Sequence, residues 1–291
     1  PYLYGSEHPY GRRARGTLAS IKAIRRKNII KYFLNAYRPN NCYLAVVGQF
    51  KDGIEKDIAA FTQSWAPKEI KVTPIPAFPE TKGIKIRLIE KADLKQAQIF
   101  FGQPGIRRVD PDFLTLRVAN TILGSPHSLA SRLAREIRIK RSLTYHIESE
   151  FDARQGQGPF LIATSTRMEK IQEMVTETLN VLREFHDKGV TDEEVESAKA
   201  FLKGKFPRSM ETPERFTDML LTLRYYGVSD DYLRNYIDNL DAISTREINR
   251  VIAKYFDPND MRIQVYAPKE VALKPLEAIA PTEEKSFQDF L

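Results

Sequence analysis

The sequence predicts an α+β fold of two homologous halves, each a mainly antiparallel sheet with helices packed on one face, the first half truncated. Three observations predict it. Helical and alternating apolar patterns succeed one another along the 291 residues. A Pro- and Thr-rich stretch breaks them once, between residues 66 and 83. A helix, a Pro-Asn stop and a strand near the start recur near the end. A chain of this length exceeds one ordinary core and suits two domains, or one and part of another.

Taken in order, residues 17–37 place Leu18, Ile21, Ile24, Ile29, Ile30, Phe33 and Tyr37 at mostly helical spacing, as one or two helices stopped before Pro39. Residues 42–47 read as a strand closed by Gly48, and residues 54–65 as a helix with Ile54, Ile58, Phe61 and Trp65 on one face. Pro67, Pro74, Pro76 and Pro79 then mark a semi-rigid extended linker. These patterns divide the chain into 1–72 (the remainder of a first half), 73–83 (linker), 84–268 (second half) and 269–291 (a mobile tail).

Within the second half, residues 84–90 and 97–102 suggest strands. Residues 110–123 suggest a helix with Asp110 as N-cap and Pro111 at its first position. Another helix is expected over 129–139, then strands over 143–151 and 160–166 joined through Gly156-Gln157-Gly158. The long helical pattern of 168–186 ends at Gly189, and Thr191-Asp192-Glu193-Glu194 is a capping box for the next helix, running to about Lys205. Helices carrying Phe216, Leu220 and Leu223, then over 232–240 and 246–255, precede a last strand at 262–266.

A shift of 219 positions lays Ile21 on Leu240, Ile24 on Ile243, Ile29 on Ile248, Phe33 on Ile252 and Tyr37 on Phe256. In the same register Pro39 falls on Pro258, Asn40 on Asn259, Leu44 on Ile263 and Val46 on Val265. The order of matches and the shared stop indicate duplication. The counterpart of residue 84 would then fall about 135 residues before Pro1, so the first copy is expected to be incomplete.

Composition narrows the function. With 42% hydrophobic and 29% charged residues the chain is a globular folder rather than a disordered one. No apolar run approaches the roughly 20 residues of a membrane span, and no signal-peptide order opens the sequence. The compartment stays open: periplasm or cytoplasm if the source is bacterial. The net charge of +7 is spread over short clusters, Arg12-Arg13-Ala14-Arg15, Arg25-Arg26-Lys27 and Arg138-Ile139-Lys140-Arg141, without interleaved aromatics, which argues against nucleic acid. Cys42, the only cysteine, lies in an apolar run and reads as a buried small hydrophobe; it excludes an intrachain disulfide.

Several stretches carry a resemblance. His8-Pro9-Tyr10-Gly11-Arg12-Arg13, then Gly16-Thr17 and the helix to Tyr37-Arg38-Pro39-Asn40-Asn41, resemble the segment just after the zinc-binding part of pitrilysin/insulinase-type zinc metallopeptidases, and Val46-Val47-Gly48 resembles that half's last strand. Ser131-Arg132-Leu133, continuing to Ile137-Arg138-Ile139-Lys140-Arg141-Ser142-Leu143-Thr144-Tyr145, is similar to the arginine and tyrosine motif of the family's second half. Two positions depart: Ser142 stands where the family commonly has glycine, and Ile139 where it often has an acid. Gly189 to Glu194 and Gly204-Lys205-Phe206-Pro207 with Glu211-Thr212-Pro213 also match family text, so most of residues 10–267 is covered.

The resemblance implies two α/β halves closing over an extended peptide, with Arg138 and Tyr145 gripping its backbone beside a zinc site on the other half. The family's His-x-x-Glu-His zinc motif is absent, because His8, His127, His146 and His186 form no such pattern. Zinc is therefore expected in the full-length enzyme or a partner chain, and this chain alone should be inactive. The alternative is a non-catalytic partner or structural subunit of a two-chain peptidase of the same family. Implied partners are peptides or unfolded protein segments, and a related subunit in a homodimer or heterodimer. His146, Glu148 and Glu150 alternate on one strand face and read as a charged outer face rather than as ligands. His8 reads as a loop residue held by hydrogen bonds, with Arg12 and Arg13 at the mouth of the groove.

Overall fold

The structure is a computed structural model that describes residues 2–80, 82–126 and 128–290. Six strands form one sheet: β1 (Lys85–Glu90), β2 (Ala97–Pro104), β3 (Ile147–Phe151), β4 (Pro159–Thr166), β5 (Arg262–Ala267) and β6 (Thr282–Ser286), in the order β3-β4-β2-β5-β1-β6. β2 runs antiparallel to β4 and β5, and β3 to β4, while β1 is parallel to both β5 and β6. The sheet is thus mixed, with a parallel edge beyond β5.

Alternation gives it two unlike faces. Ile86, Leu88, Ile99, Phe101, Phe160, Ile162, Ile263 and Val265 point into the core, whereas Arg87, Phe100, Gln264 and Tyr266 look the other way and stay partly exposed. The core face is covered by α4 (Phe113–Gly124), α5 (Ile171–Lys188), α6 (Asp192–Arg208), α9 (Tyr236–Ala242), α10 (Thr245–Tyr255) and α11 (Lys269–Glu277). Between α6 and α9 lie α7 (Pro213–Tyr226) and α8 (Asp231–Arg234). Phe256 sits at the centre of the core, edge-on to Phe151, Phe160 and Phe185 with ring centroids 5.0–5.2 Å away. Such contacts add about 0.5–1.5 kcal/mol each to simple burial. The capping box opening α6 forms as the sequence predicts, and Glu194 also accepts two bonds from Arg132 at 2.7 and 2.8 Å.

The helices of the repeat correspond in three dimensions, but its strand does not. The earlier helices α1 (Leu18–Ala23), α2 (Arg26–Ala36) and α3 (Ile54–Thr62) precede the linker region, and shifting α2 by 219 positions gives the bounds of α10. The residues ending α1 and α9, Ile24 and Ile243, share the same extended backbone. Environment separates the copies. Phe33 is 56% exposed and Leu44 68%, whereas their counterparts Ile252 and Ile263 are fully buried under the sheet.

Several expectations need correction. Residues 42–47 form no strand, because among the described residues no neighbouring strand takes up their amide groups; Cys42 is accordingly exposed. The expected tail is folded: α11 packs Ala272 and Leu276 into the core, and β6 extends the sheet beside β1, pinned by Arg87–Glu283 (2.8 Å) and Lys269–Glu284 (2.6 Å). The first helix of the second half begins at Phe113, and Asp110 accepts a bond from the Asp112 amide instead of capping it. The strand expected from residue 143 begins at Ile147.

Residues 2–13 lie against the open face of the sheet. Leu3 packs on Gly102, whose missing Cβ makes room for it, and Tyr2 lies under the Arg87 guanidinium at 4.0 Å. Tyr4, His8, Tyr10 and Phe78 form an aromatic cluster, closed by bonds from the Tyr4 hydroxyl to the Gln157 carbonyl (2.9 Å) and from the Gly156 amide to the Tyr10 hydroxyl (3.0 Å).

Candidate functional site

Arg138 and Tyr145, singled out from sequence, come together. Arg138 lies in a π-helical turn, Ala134–Ile139, a winding that often marks functional positions because it adds a residue to the helix and re-aims its side chains. The chain then reverses at Ser142, whose φ of +52° is left-handed. That is why glycine suits this position: an L side chain crowds the backbone there. The reversal is closed by the Ser142 amide donating to the Arg138 carbonyl (3.2 Å) and the Leu143 amide to the Ile137 carbonyl (3.1 Å).

Leu143 is buried and anchors the loop, while Tyr145 stands 84% exposed just before β3. Threonines hold the loop in place. The Thr166 hydroxyl donates to the Leu143 carbonyl at 2.7 Å, and the Thr164 and Thr144 hydroxyls both donate to the His146 carbonyl at 2.9 Å. On this rigid base the Arg138 guanidinium lies over the Tyr145 ring, 4.6 Å from its centroid. Stacking orders both side chains while leaving the in-plane N–H groups and the phenol hydroxyl free to donate.

Electrostatics leave Arg138 available. Glu136, two residues away, is taken by Lys140 (2.7 Å), Arg141 (3.3 Å) and Arg135 (3.5 Å), and the Lys140 bond is the main cause holding its carboxyl below the usual range. Among the described residues no carboxylate pairs with Arg138. The pair can therefore offer a cation and a phenol donor to a passing ligand.

The threonine supports escaped sequence reasoning, although Thr164 and Thr166 alternate on the core-facing side of β4, where polar residues stand out. Asn120 also escaped it. Its amide donates to the Ser149 carbonyl (2.8 Å) and its oxygen accepts from the Ser149 hydroxyl (2.8 Å), so the middle of the edge strand β3 is capped from α4.

The residues do not suit zinc. Among the described residues no group of three His, Cys, Asp or Glu could hold a metal. His146 meets only Glu148, at 3.1 Å, and His186 pairs with Asp187 at 2.9 Å. Both ring nitrogens of His8 are used: Nδ1 accepts from the Tyr10 amide (3.0 Å) and Nε2 donates to the Pro76 carbonyl (3.2 Å). His127 lies outside the described residues. Arg13 lies over the Phe290 ring at 5.3 Å, beside the open face. No described helix is long and apolar enough to cross a membrane.

The family model described as the peptidase M16 inactive domain matches residues 23–202, a stretch that includes α2, the linker region and both members of the pair. The chain belongs to the peptidase M16 inactive-domain family. Among relatives, it is 26% identical over 269 residues to the "Non-peptidase homolog YmxG" of Helicobacter pylori, covering 90% of this chain and 60% of that protein. It is 27% identical over 262 residues to the "Uncharacterized zinc protease YmxG" of Bacillus subtilis, covering 87% and 60%. Among solved structures, a peptidase M16 inactive domain from Pseudomonas fluorescens superposes with a TM-score of 0.83 at 28% identity, over 92% of this chain and 63% of that one. The chain thus spans about 60% of the length of these curated relatives. The M16 assignment matches the mixed sheet with its one-sided helical layer, and the family includes proteins named as zinc proteases.

Proposed function

We propose that this M16 domain is the substrate-gripping part of a zinc-dependent peptidase, with Arg138 and Tyr145 as donors to the backbone of an extended peptide. The observation that carries the reading is the pair itself, an acid-free guanidinium stacked on an 84% exposed phenol over a hydrogen-bonded loop. Aimed at a carbonyl oxygen gaining negative charge, two such donors stabilise the transition state more than the ground state. Metal and water activation come from residues outside this chain, on the full-length protein or a partner. With the Ser149 carbonyl already capped by Asn120, the sheet edge that receives the peptide as an added strand lies on that other part.

In the full-length protein Arg138→Ala or Tyr145→Phe should lower peptide turnover by about 10²–10³-fold with zinc content unchanged. Unchanged turnover would refute the assignment. A second reading, a non-catalytic partner, is favoured by one relative's description as a non-peptidase homolog. It predicts a full-length protein without stoichiometric zinc or hydrolysis, whose peptide affinity still falls in the same two variants.

A further inference from the structure

Two further arginines, with no carboxylate partner among the described residues, lie away from the candidate site. Arg108 follows β2, and its guanidinium is held between the rings of Phe113 (4.0 Å) and Tyr232 (4.8 Å). Arg117, on α4, donates to the Tyr232 hydroxyl at 3.2 Å, so one phenol stands between two cations. Among the described residues neither arginine pairs with a carboxylate. Stacking engages the faces of the Arg108 group and one in-plane donor is turned to the Tyr232 hydroxyl, so others of its five N–H groups remain for a ligand. Burial above all pushes Arg108 below its ordinary range, with Tyr232 opposing the shift and the charge of Arg117 adding to it.

Beside Arg108 opens a cleft of about 450 Å³ whose walls include Leu114, Val228, Asn239 and Ile243. The one carboxylate on its wall, Asp110, accepts from the Asp112 amide (2.9 Å). Half-buried cations are costly unless an anion answers them. Apolar walls favour an anion that carries a hydrocarbon body over a bare inorganic one. The cleft and the Arg138–Tyr145 pair stand at opposite ends of β3, since the Arg108 amide donates to the Arg154 carbonyl beyond Phe151 (2.8 Å) while Tyr145 precedes Ile147.

We propose that this cleft is a carboxylate-binding site for a ligand with a short aliphatic body, recognised by Arg108 at its charged end and by Leu114, Val228 and Ile243 along its chain. A free short-chain acid and the C-terminal residue of a peptide offer the same chemistry. The test titrates the purified chain with 3-methylbutanoate, an acetylated tripeptide ending in leucine, the same tripeptide as its C-terminal amide, and inorganic phosphate, reading amide shifts of Leu114, Ser229 and Tyr232 by NMR. Saturable binding of 3-methylbutanoate alone identifies a free acid, and binding of the tripeptide acid identifies a peptide end; the amide should not bind. Arg108→Gln should weaken binding at least about tenfold, the loss expected for a charged hydrogen bond. Val109→Glu, at the exposed rim, leaves the stacked guanidinium alone but supplies a competing carboxylate, and it should abolish binding even if Arg108→Gln fails to fold. No saturable shift with either carboxylate, phosphate binding as tightly as the acids, or unchanged affinity in Val109→Glu would overturn the proposal.

Discussion

Replacing Ser142 by glycine should stabilise the protein, a result that tests the reversal on which the Arg138–Tyr145 pair is built. Among the described residues Ser142 is the only non-glycine with positive φ. Left-handed backbone costs an L residue roughly 1–2 kcal/mol. Glycine escapes that cost but gives up more freedom on folding, about 0.5–1 kcal/mol. The serine side chain is exposed, and no hydrogen bond from it offsets the difference. The net gain is therefore about 0.8 kcal/mol at the midpoint of a range of roughly 0–1.5 kcal/mol, or about 2–3 °C in Tm for a domain of this size. Ser142→Val adds a β-branched clash and should lose about 1 kcal/mol or more. Urea unfolding at constant m reads both changes. A glycine midpoint at or below that of the native protein, with valine no worse, would refute the claim that left-handed strain is stored at this turn.

Further predictions follow from buried bonds. Thr166→Val keeps the shape but leaves the Leu143 carbonyl without its 2.7 Å donor, and should cost about 1–3 kcal/mol in urea unfolding while increasing exchange of the amides around Tyr145. Asp112 is held well below the usual carboxylate range, mainly by Arg250 (2.5 Å) with Lys254 (3.1 Å) and Tyr255 (3.0 Å). A depressed folded pKa contributes stability that is present above the unfolded value of about 3.9 and is lost as pH falls from there towards the folded value. Asp112→Asn should therefore unfold more easily at neutral pH and lose less stability than the native protein between about pH 4 and pH 2, measured as the urea midpoint against pH.

Local chemistry made much of this legible in advance. The capping box at Thr191 and Glu194, the stop at Gly189 and the helices that recur at a shift of 219 positions concern residues that are neighbours in sequence or repeat a pattern, and each appears in the fold. Arg138 and Tyr145 stand out through the resemblance of their motif to the family's, and a spacing of seven residues across a helix end and a turn fits the closeness observed. β6 was not legible: its sequence, Thr282 to Ser286, is wholly polar and its side chains stay largely exposed, so no alternation reports it. The π-turn and the threonine supports were hidden for a related reason, since they depend on carbonyls brought from β4 and the reversal at once.

What the sequence determined alone is therefore the periodic and the local: which segments wind into helices, and where caps stop them. Tertiary structure decided what lies opposite each segment. The matching residues Leu44 and Ile263 show the difference, one open to solvent and the other at the heart of a sheet. A strand is a property of two chains of amide groups, and its existence is settled only when the second one arrives.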